Sequence, residues 1–139
     1  MAENHRALVQ LFVDMINSHD ASTIGEHTAA GHIDHNPIVD DGIEANRAFF
    51  QQIFDAFPDV KAVAHDVIVD GDRIAARLEY SGTHQGTFFG IPATGRTLNF
   101  QSIDIWRVED GLLAEHWDQL DVAGMFHQLG ADFYALQAQ

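Results

Sequence analysis

Residues 97–120 read TLNFQSIDIWRVEDGLLAEHWDQL, and this stretch decides the fold. Apolar and polar residues alternate on both sides of Glu109-Asp110-Gly111, which is the pattern of two β-strands joined by a short turn. A strand over the second half places these side chains on one face: Leu112, Ala114, His116, Asp118 and Leu120. Burying a carboxylate on such a face is unfavourable, so we expect a raised pKa for Asp118 and a role in acid/base chemistry.

The length of the turn decides which side chains meet across this hairpin. A two-residue turn would place Asp104 opposite Trp117, whereas a three-residue turn with its glycine in the left-handed conformation would place it opposite His116. We favour the three-residue turn, which also sets Ser102 opposite Asp118. The face shared with His116 and Asp118 then includes Phe100, Ser102, Asp104 and Trp106. Trp117 and Arg107 are predicted on the opposite, outer face.

Working outward, the spacing of apolar residues predicts three helices before the strands. They cover Ala7 to about Ser18, a short helix capped by Asp20 and ending near His27, and Glu44 to Phe57. The segment Gly31–Pro37 is predicted to be extended. After Pro58 the period changes to two, and it predicts antiparallel strands over Val60–Asp70, Arg73–His84, Thr97–Val108 and Leu112–Leu120. A last helix over Val122–Leu129, with Gly130 at its C-cap, leads to an irregular tail.

This order of elements predicts an α+β fold in which a strongly curved sheet wraps round helices and leaves a pocket. A length of 139 residues predicts one domain, residues 1–139. The net charge of −14 with seven Lys and Arg residues argues against nucleic-acid and membrane-surface partners. The polar N-terminus lacks a signal-peptide pattern, so we expect a cytoplasmic protein. The absence of cysteine excludes disulfides and thiolate chemistry.

An ordered series of motifs carries a resemblance to a known family. The motifs are Gly82–Gly86, Gly90–Arg96, Ile103–Arg107, Asp110-Gly111, Glu115–Asp118 and Gln128–Gly130, with Asn36-Pro37 in the helical half. Together they resemble the SnoaL-like polyketide cyclases and predicted ester cyclases of the nuclear-transport-factor-2-like superfamily. The resemblance implies a cone-shaped, curved antiparallel sheet closed by three N-terminal helices, and a homodimer formed through the sheet. It also implies a cofactor-free intramolecular aldol closure of an anthracycline ring by an aspartate acid/base.

The resemblance implies that Asp118 occupies the position of the acid/base aspartate of the cyclases, and that Asn36 matches one of their pocket residues. The chain departs from the family at Asp104, where the cyclases carry a pocket histidine. We therefore predict two groups of site residues, with Asp118, His116 and Asp104 as catalytic residues. The predicted substrate-binding residues are Asn36, His35, Ser102, Trp106, Phe50 and Phe88. The histidine-rich segment around His32 fits no specific metal motif, so we predict no metal site.

Asp104 and Asp118 lie on one apolar face, so we expect them to share a proton, unless His116 is protonated and pairs with both. Either arrangement places a proton donor beside a base, which suits proton transfer on a small, largely apolar carbonyl compound. An alternative is epoxide hydrolysis by the aspartate pair. The related hydrolases place an arginine between their aspartates, and this alternative is weakened because Arg107 is predicted to point away from Asp104. A second alternative is a ligand-binding module without chemistry, which predicts ordinary carboxyl pKa values.

Overall fold

The computed structural model describes residues 2–131 of the chain as helices packed on a curved sheet of five strands. The helices are α1 (Ala2–Ser18), α2 (Ile43–Ala56) and α3 (Val122–Gln128), with a 3₁₀ helix at Ala21–Glu26. The strands are β1 (Thr28–Asp34), β2 (Lys61–Asp70), β3 (Arg73–Thr83), β4 (Thr97–Glu109) and β5 (Leu112–Leu120). The α+β fold is therefore confirmed. Most of the predicted tail, residues 132–139, lies outside the described residues.

Helix α1 forms because its apolar residues repeat at helical spacing, and this face packs against the sheet. Its buried side chains are Leu8, Val9, Phe12, Val13, Met15 and Ile16. At its C-terminal end the amide side chain of Asn17 both donates to the carbonyl of Ala62, at 3.1 Å, and accepts from its N–H, at 2.7 Å. The helix is thus tied to β2, an edge strand whose outward backbone groups have no neighbouring strand to pair with.

The sheet has five strands in the order β1-β5-β4-β3-β2. The four predicted strands are antiparallel to their neighbours, but β1 lies parallel to β5 and extends the sheet beyond them. The prediction of a short extended segment at Gly31–Pro37 was therefore incomplete, since the strand begins at Thr28 and joins the sheet. Its pairing places Asp34 beside His116. Strand β1, which comes from the helical half of the chain, therefore contributes side chains next to those predicted as catalytic on β5.

The favoured register of the β4–β5 hairpin was wrong. The turn has two residues, with Asp110 at φ 52° and Gly111 at φ 76°, and a β-bulge follows it, so that Arg107 pairs with Glu115 while Val108 pairs with Leu113. Ala114 is the extra residue. The bulge places Asp104 opposite Asp118, a pairing that neither turn alternative predicted. It also gives the core position to Leu113, which is buried, where the alternation predicted Leu112.

The helices cover the concave face of the sheet without filling it. The aromatic stripe of α2 is divided, since Phe54 is buried in the core while Phe49 and Phe50 line a cavity. At the other end, the side chain of Asp121 caps α3 by accepting from the N–H of Gly124 at 2.9 Å. This helix carries Met125 to the cavity wall. None of the helices described within residues 2–131 is long and apolar enough to cross a membrane.

Candidate active site

A largely apolar cavity lies between the concave face of the sheet and the helices. Its volume is about 870 Å³ when the open mouth is included. Aromatic rings form much of the wall: Phe12, Phe49, Phe50, Phe88, Phe89, Phe100 and Trp106. The polar lining side chains are Thr28, His32, Asp34, Asn36, Asn46, Tyr80, Ser102, Asp104, His116 and Asp118. A few polar groups converging in an apolar cavity are typical of a small-molecule site.

His116 lies between two carboxylates. Its Nε2 is 2.7 Å from an oxygen of Asp104, and its Nδ1 is 3.2 Å from an oxygen of Asp34. Burial alone would lower the pKa of His116, but the hydrogen bonds to Asp104 and Asp34 outweigh it and raise the pKa to about 10. His116 is therefore an imidazolium at neutral pH. Of the two predicted arrangements, the one with a protonated His116 between two aspartates is found, but the second partner is Asp34 instead of Asp118.

Asp118 is held differently from the other two carboxylates. Both of its oxygens accept from the side-chain amide of Asn36, at 3.1 and 3.0 Å. The other end of that amide accepts from the N–H of Ile38, which fixes its orientation. Burial raises the pKa of Asp118, and the negative charges of Asp104 and Asp34 add to this effect against the opposing influence of His116 and Asn36. The carboxyl group is thus easier to protonate than an ordinary aspartate, as the sequence predicts.

The cavity brings together all but one of the predicted site residues. Those that line it are Asn36, Phe50, Phe88, Ser102, Trp106, Asp104, His116 and Asp118. His35 does not line it, and its prediction as a substrate-binding residue was wrong. His35 directly follows β1 and its backbone N–H still bonds to the carbonyl of His116, at 2.9 Å, so the alternation continues and the inward position of Asp34 turns His35 outward. There it stacks on Trp117 at 4.8 Å and bonds to Glu115 at 2.7 Å.

Sequence reasoning missed Asp34 and Tyr80 as site residues. Asp34 lines the cavity because β1 pairs with β5, and its carboxylate touches His116. Tyr80 lies on the concave face of β3 and stacks on Phe100 at 5.2 Å. The alternation of β3 carried a signal for Tyr80, since it shares a face with Leu78 and Ala76, which are buried. No local pattern indicated Asp34, because its position depends on a parallel pairing with a distant strand.

Two groups of described side chains have the composition of a metal site: His32, Asp34 and His116, and also Asp104, His116 and Asp118. In each group the potential ligand atoms lie within 4.8 Å of one another. Both groups share His116, whose two ring nitrogens already face carboxylates. Because metal ligation needs a deprotonated imidazole nitrogen, an ion at either position would have to displace a firmly held proton at neutral pH.

The chain is similar to known polyketide cyclases. The family model of the SnoaL-like polyketide cyclases matches residues 6–129. Aklanonic acid methyl ester cyclase DnrD of Streptomyces peucetius is 30% identical over 129 residues, covering 88% of each protein. Nogalonic acid methyl ester cyclase of Streptomyces nogalater is 33% identical over 60 residues, which is 43% of this chain and 45% of that protein.

The fold agrees as well. The solved structure of TsrD from Streptomyces laurentii superimposes with a TM-score of 0.88 at 35% identity, covering 93% of this chain and 96% of that one. The curved sheet with helices on its concave face is thus shared with solved members of the group. Since the family model spans nearly the whole chain, the protein belongs to the SnoaL-like polyketide cyclase family.

Proposed function

We propose that the protein is a cofactor-independent enzyme that closes a carbon ring in a polyketide-derived carbonyl compound, with Asp118 as the general acid and base. The observation that carries the proposal is the state of Asp118. It is a carboxyl group with a raised pKa in an apolar cavity, bonded only to the neutral amide of Asn36 among the hydrogen bonds of the described residues. A carboxyl group in this setting is suited to exchanging a proton with carbon and oxygen near neutral pH.

The reaction we propose is an intramolecular aldol addition. The carboxylate of Asp118 removes a proton from a carbon next to a carbonyl group, and the resulting enolate carbon attacks a second carbonyl carbon of the same molecule. The new alkoxide then takes the proton from Asp118, so atoms and charge balance and the product is an isomer of the substrate. The imidazolium of His116 offsets the negative charges of Asp104 and Asp34, which would otherwise oppose formation of the enolate in a cavity where water does not screen them.

The cavity wall supports a neutral, aromatic or polycyclic substrate. Phe50, Phe88 and Phe100 line the cavity, and rings of this kind pack well against flat, largely apolar ligands. Among the described residues, no Lys or Arg lines the cavity, whereas Asp34, Asp104 and Asp118 do. A substrate with a free carboxylate would therefore meet like charges, because the imidazolium of His116 already has a carboxylate at each ring nitrogen. The related cyclases DnrD and that of Streptomyces nogalater are named for methyl esters, which lack this charge.

The test is turnover of a polyketide methyl ester by the intact protein. Aklanonic and nogalonic acid methyl esters are the first candidates, with ring closure followed by chromatography and by uptake of deuterium from D₂O. The change Asp118→Asn keeps the shape of the side chain but removes the base, and it is expected to lower kcat by about 10²- to 10⁴-fold. Asp14→Asn on the exposed face of α1 is the matched control for the change in charge. Unchanged turnover by the Asp118 variant would refute the mechanism.

The two alternatives are less well supported. Arg107 lies on the outer face and bonds to Glu115 at 2.9 Å, so it does not lie between the cavity aspartates as the related epoxide hydrolases require. A binding module without chemistry predicts an ordinary pKa for Asp118, whereas burial raises it.

We also propose that a second copy of the chain covers the outer face of the sheet, as the resemblance implies. Ile103 and Ile105 of β4 point outward and are 53% and 39% exposed, and Ile105 pairs with Trp117 on β5. Light scattering should then give twice the chain mass of 15.4 kDa. Ile103→Glu should give the single mass, because burying an unpaired charge in an interface is unfavourable. A wild-type chain that is monomeric at high concentration would exclude this interface.

A further inference from the structure

The carboxylate of Asp34 is the most completely bonded polar group in the cavity. Its side chain is 3% exposed, and three donors bond to it. One oxygen is 3.2 Å from Nδ1 of His116 and accepts from the backbone N–H of Asn36 at 2.9 Å. The other accepts from the amide of Asn46 at 3.1 Å and lies 3.7 Å from Nε2 of His32. These contacts come from β1, β5, α2 and the loop after β1, so they fix the carboxylate from several sides.

Asp104 is similarly committed on the other side of His116. One of its oxygens bonds to Nε2 of His116, and the other accepts from the hydroxyl of Ser102 at 2.5 Å. The ring of His116 is also stacked against Trp106, with the centroids 5.3 Å apart. The imidazolium therefore has a hydrogen-bond partner at each nitrogen and packs against Trp106. It cannot turn toward Asp118 without breaking a bond to a buried carboxylate.

We propose that Asp34 is a positioning residue, which holds His116 against Asp104 and so leaves Asp118 as the cavity carboxyl group free to exchange a proton with a ligand. What Asp118 does with that proton rests on the proposed function. Without Asp34, one ring nitrogen of His116 would be free to approach Asp118. An ion pair between them would stabilise the ionised carboxylate and weaken it as a base.

The groups that act on the charge of His116 come from three strands. His32 and Asp34 face it from β1, Asp104 from β4, and Asp118 lies two residues away on β5. Replacing Asp34 by asparagine removes one negative charge from this set and one anionic partner from the ring. The pKa of His116 should then fall by about 1 to 3 pH units, the range for losing an adjacent opposite charge. The pKa of Asp118 should fall as well, because the charge of Asp34 contributes to raising it.

The test is an NMR titration of the free protein, with ¹⁵N detection of imidazoles and ¹³C detection of carboxyl groups. In the wild type, both ring nitrogens of His116 should remain protonated through pH 8, and the imidazolium should lose one proton near pH 10. In Asp34→Asn, both pKa values should move down, while Asp14→Asn, an equal change of charge on α1, should leave them unchanged. His116→Gln provides the assignment of the imidazole signals.

Two results would overturn the inference. One is a wild-type His116 that titrates near its ordinary value of 6.5, a measurement that needs no variant to fold. The other is a folded Asp34→Asn protein in which the pKa of His116 is unchanged. Neither result depends on a substrate, so they are distinct from a failure to find turnover. If turnover is found, the acid limb of the pH–rate profile should move to lower pH in Asp34→Asn, which a loss of folded protein alone would not produce.

Discussion

The two faces of the β1–β5 strand pair carry the same chemistry in different surroundings. On the inner face, Asp34 of β1 lies beside His116 of β5, and on the outer face His35, which directly follows β1, bonds to Glu115 of β5. The pairs are formed by neighbouring residues, so the alternation of the strands sends one of each kind to each side. Arg107 adds a cation to the outer pair, because it bonds to Glu115 at 2.9 Å, and His35, Glu115 and Arg107 form the outer cluster. Asp104 adds a second acid to the inner pair, so that His116, Asp34 and Asp104 form the inner cluster.

The environment, more than the bond length, separates the two clusters. The shortest contact is 2.7 Å in both, His116 to Asp104 inside and His35 to Glu115 outside. The side chains of His116 and Asp104 are 12% and 4% exposed, whereas that of His35 is 42% exposed. Water hydrates and screens the charges of the outer cluster, whereas the buried charges of the inner cluster are stabilised mainly by one another. We infer that the inner cluster governs the stability of the fold and its pH dependence, whereas the outer cluster contributes little to either.

The largest expected effect is the loss of one inner acid. Asp104→Leu leaves the buried imidazolium of His116 with a single partner, and it should destabilise the protein by about 3 to 5 kcal/mol. Urea unfolding followed by circular dichroism measures this change. Asp104→Asn keeps the hydrogen-bonding shape and should be destabilised less. A loss in Asp104→Leu no larger than that of an exposed substitution would mean that the inner contacts do not hold the charge as described.

The second effect is a loss of stability at high pH. His116 has a pKa of about 10 in the folded chain and 6.5 as an ordinary residue, so its contribution is fully present below pH 6.5. That contribution, on the order of a few kcal/mol, is lost as the pH rises through 10. Urea midpoints of the wild type should therefore fall from pH 6.5 to 10. In His116→Gln the curve should be flatter over this range, and parallel curves would contradict the assignment.

This division of the faces could be predicted only in part from the sequence. The alternation in β4 and β5 was enough to place Asp104, His116 and Asp118 together, because the period of two is a local property. The bulge at Ala114 could not be foreseen, since a one-residue slip changes every partner while leaving composition and spacing intact. The positions of Asp34 and His35 depended on a parallel pairing between residues about 80 apart in the chain, for which neither strand carries a local signal.

The smallest expected effect is the removal of the outer cluster. Glu115→Gln leaves His35 and Arg107 without their shared acid, but both are partly exposed and water can replace the lost contacts. The melting temperature should change by less than about 2 °C, and turnover of a confirmed substrate should remain at the wild-type level. Asp34→Asn is the comparison, because it is an equivalent change of charge on the opposite face of the same strand pair. If Glu115→Gln proved as destabilising as Asp34→Asn, then burial would not be what separates the two faces.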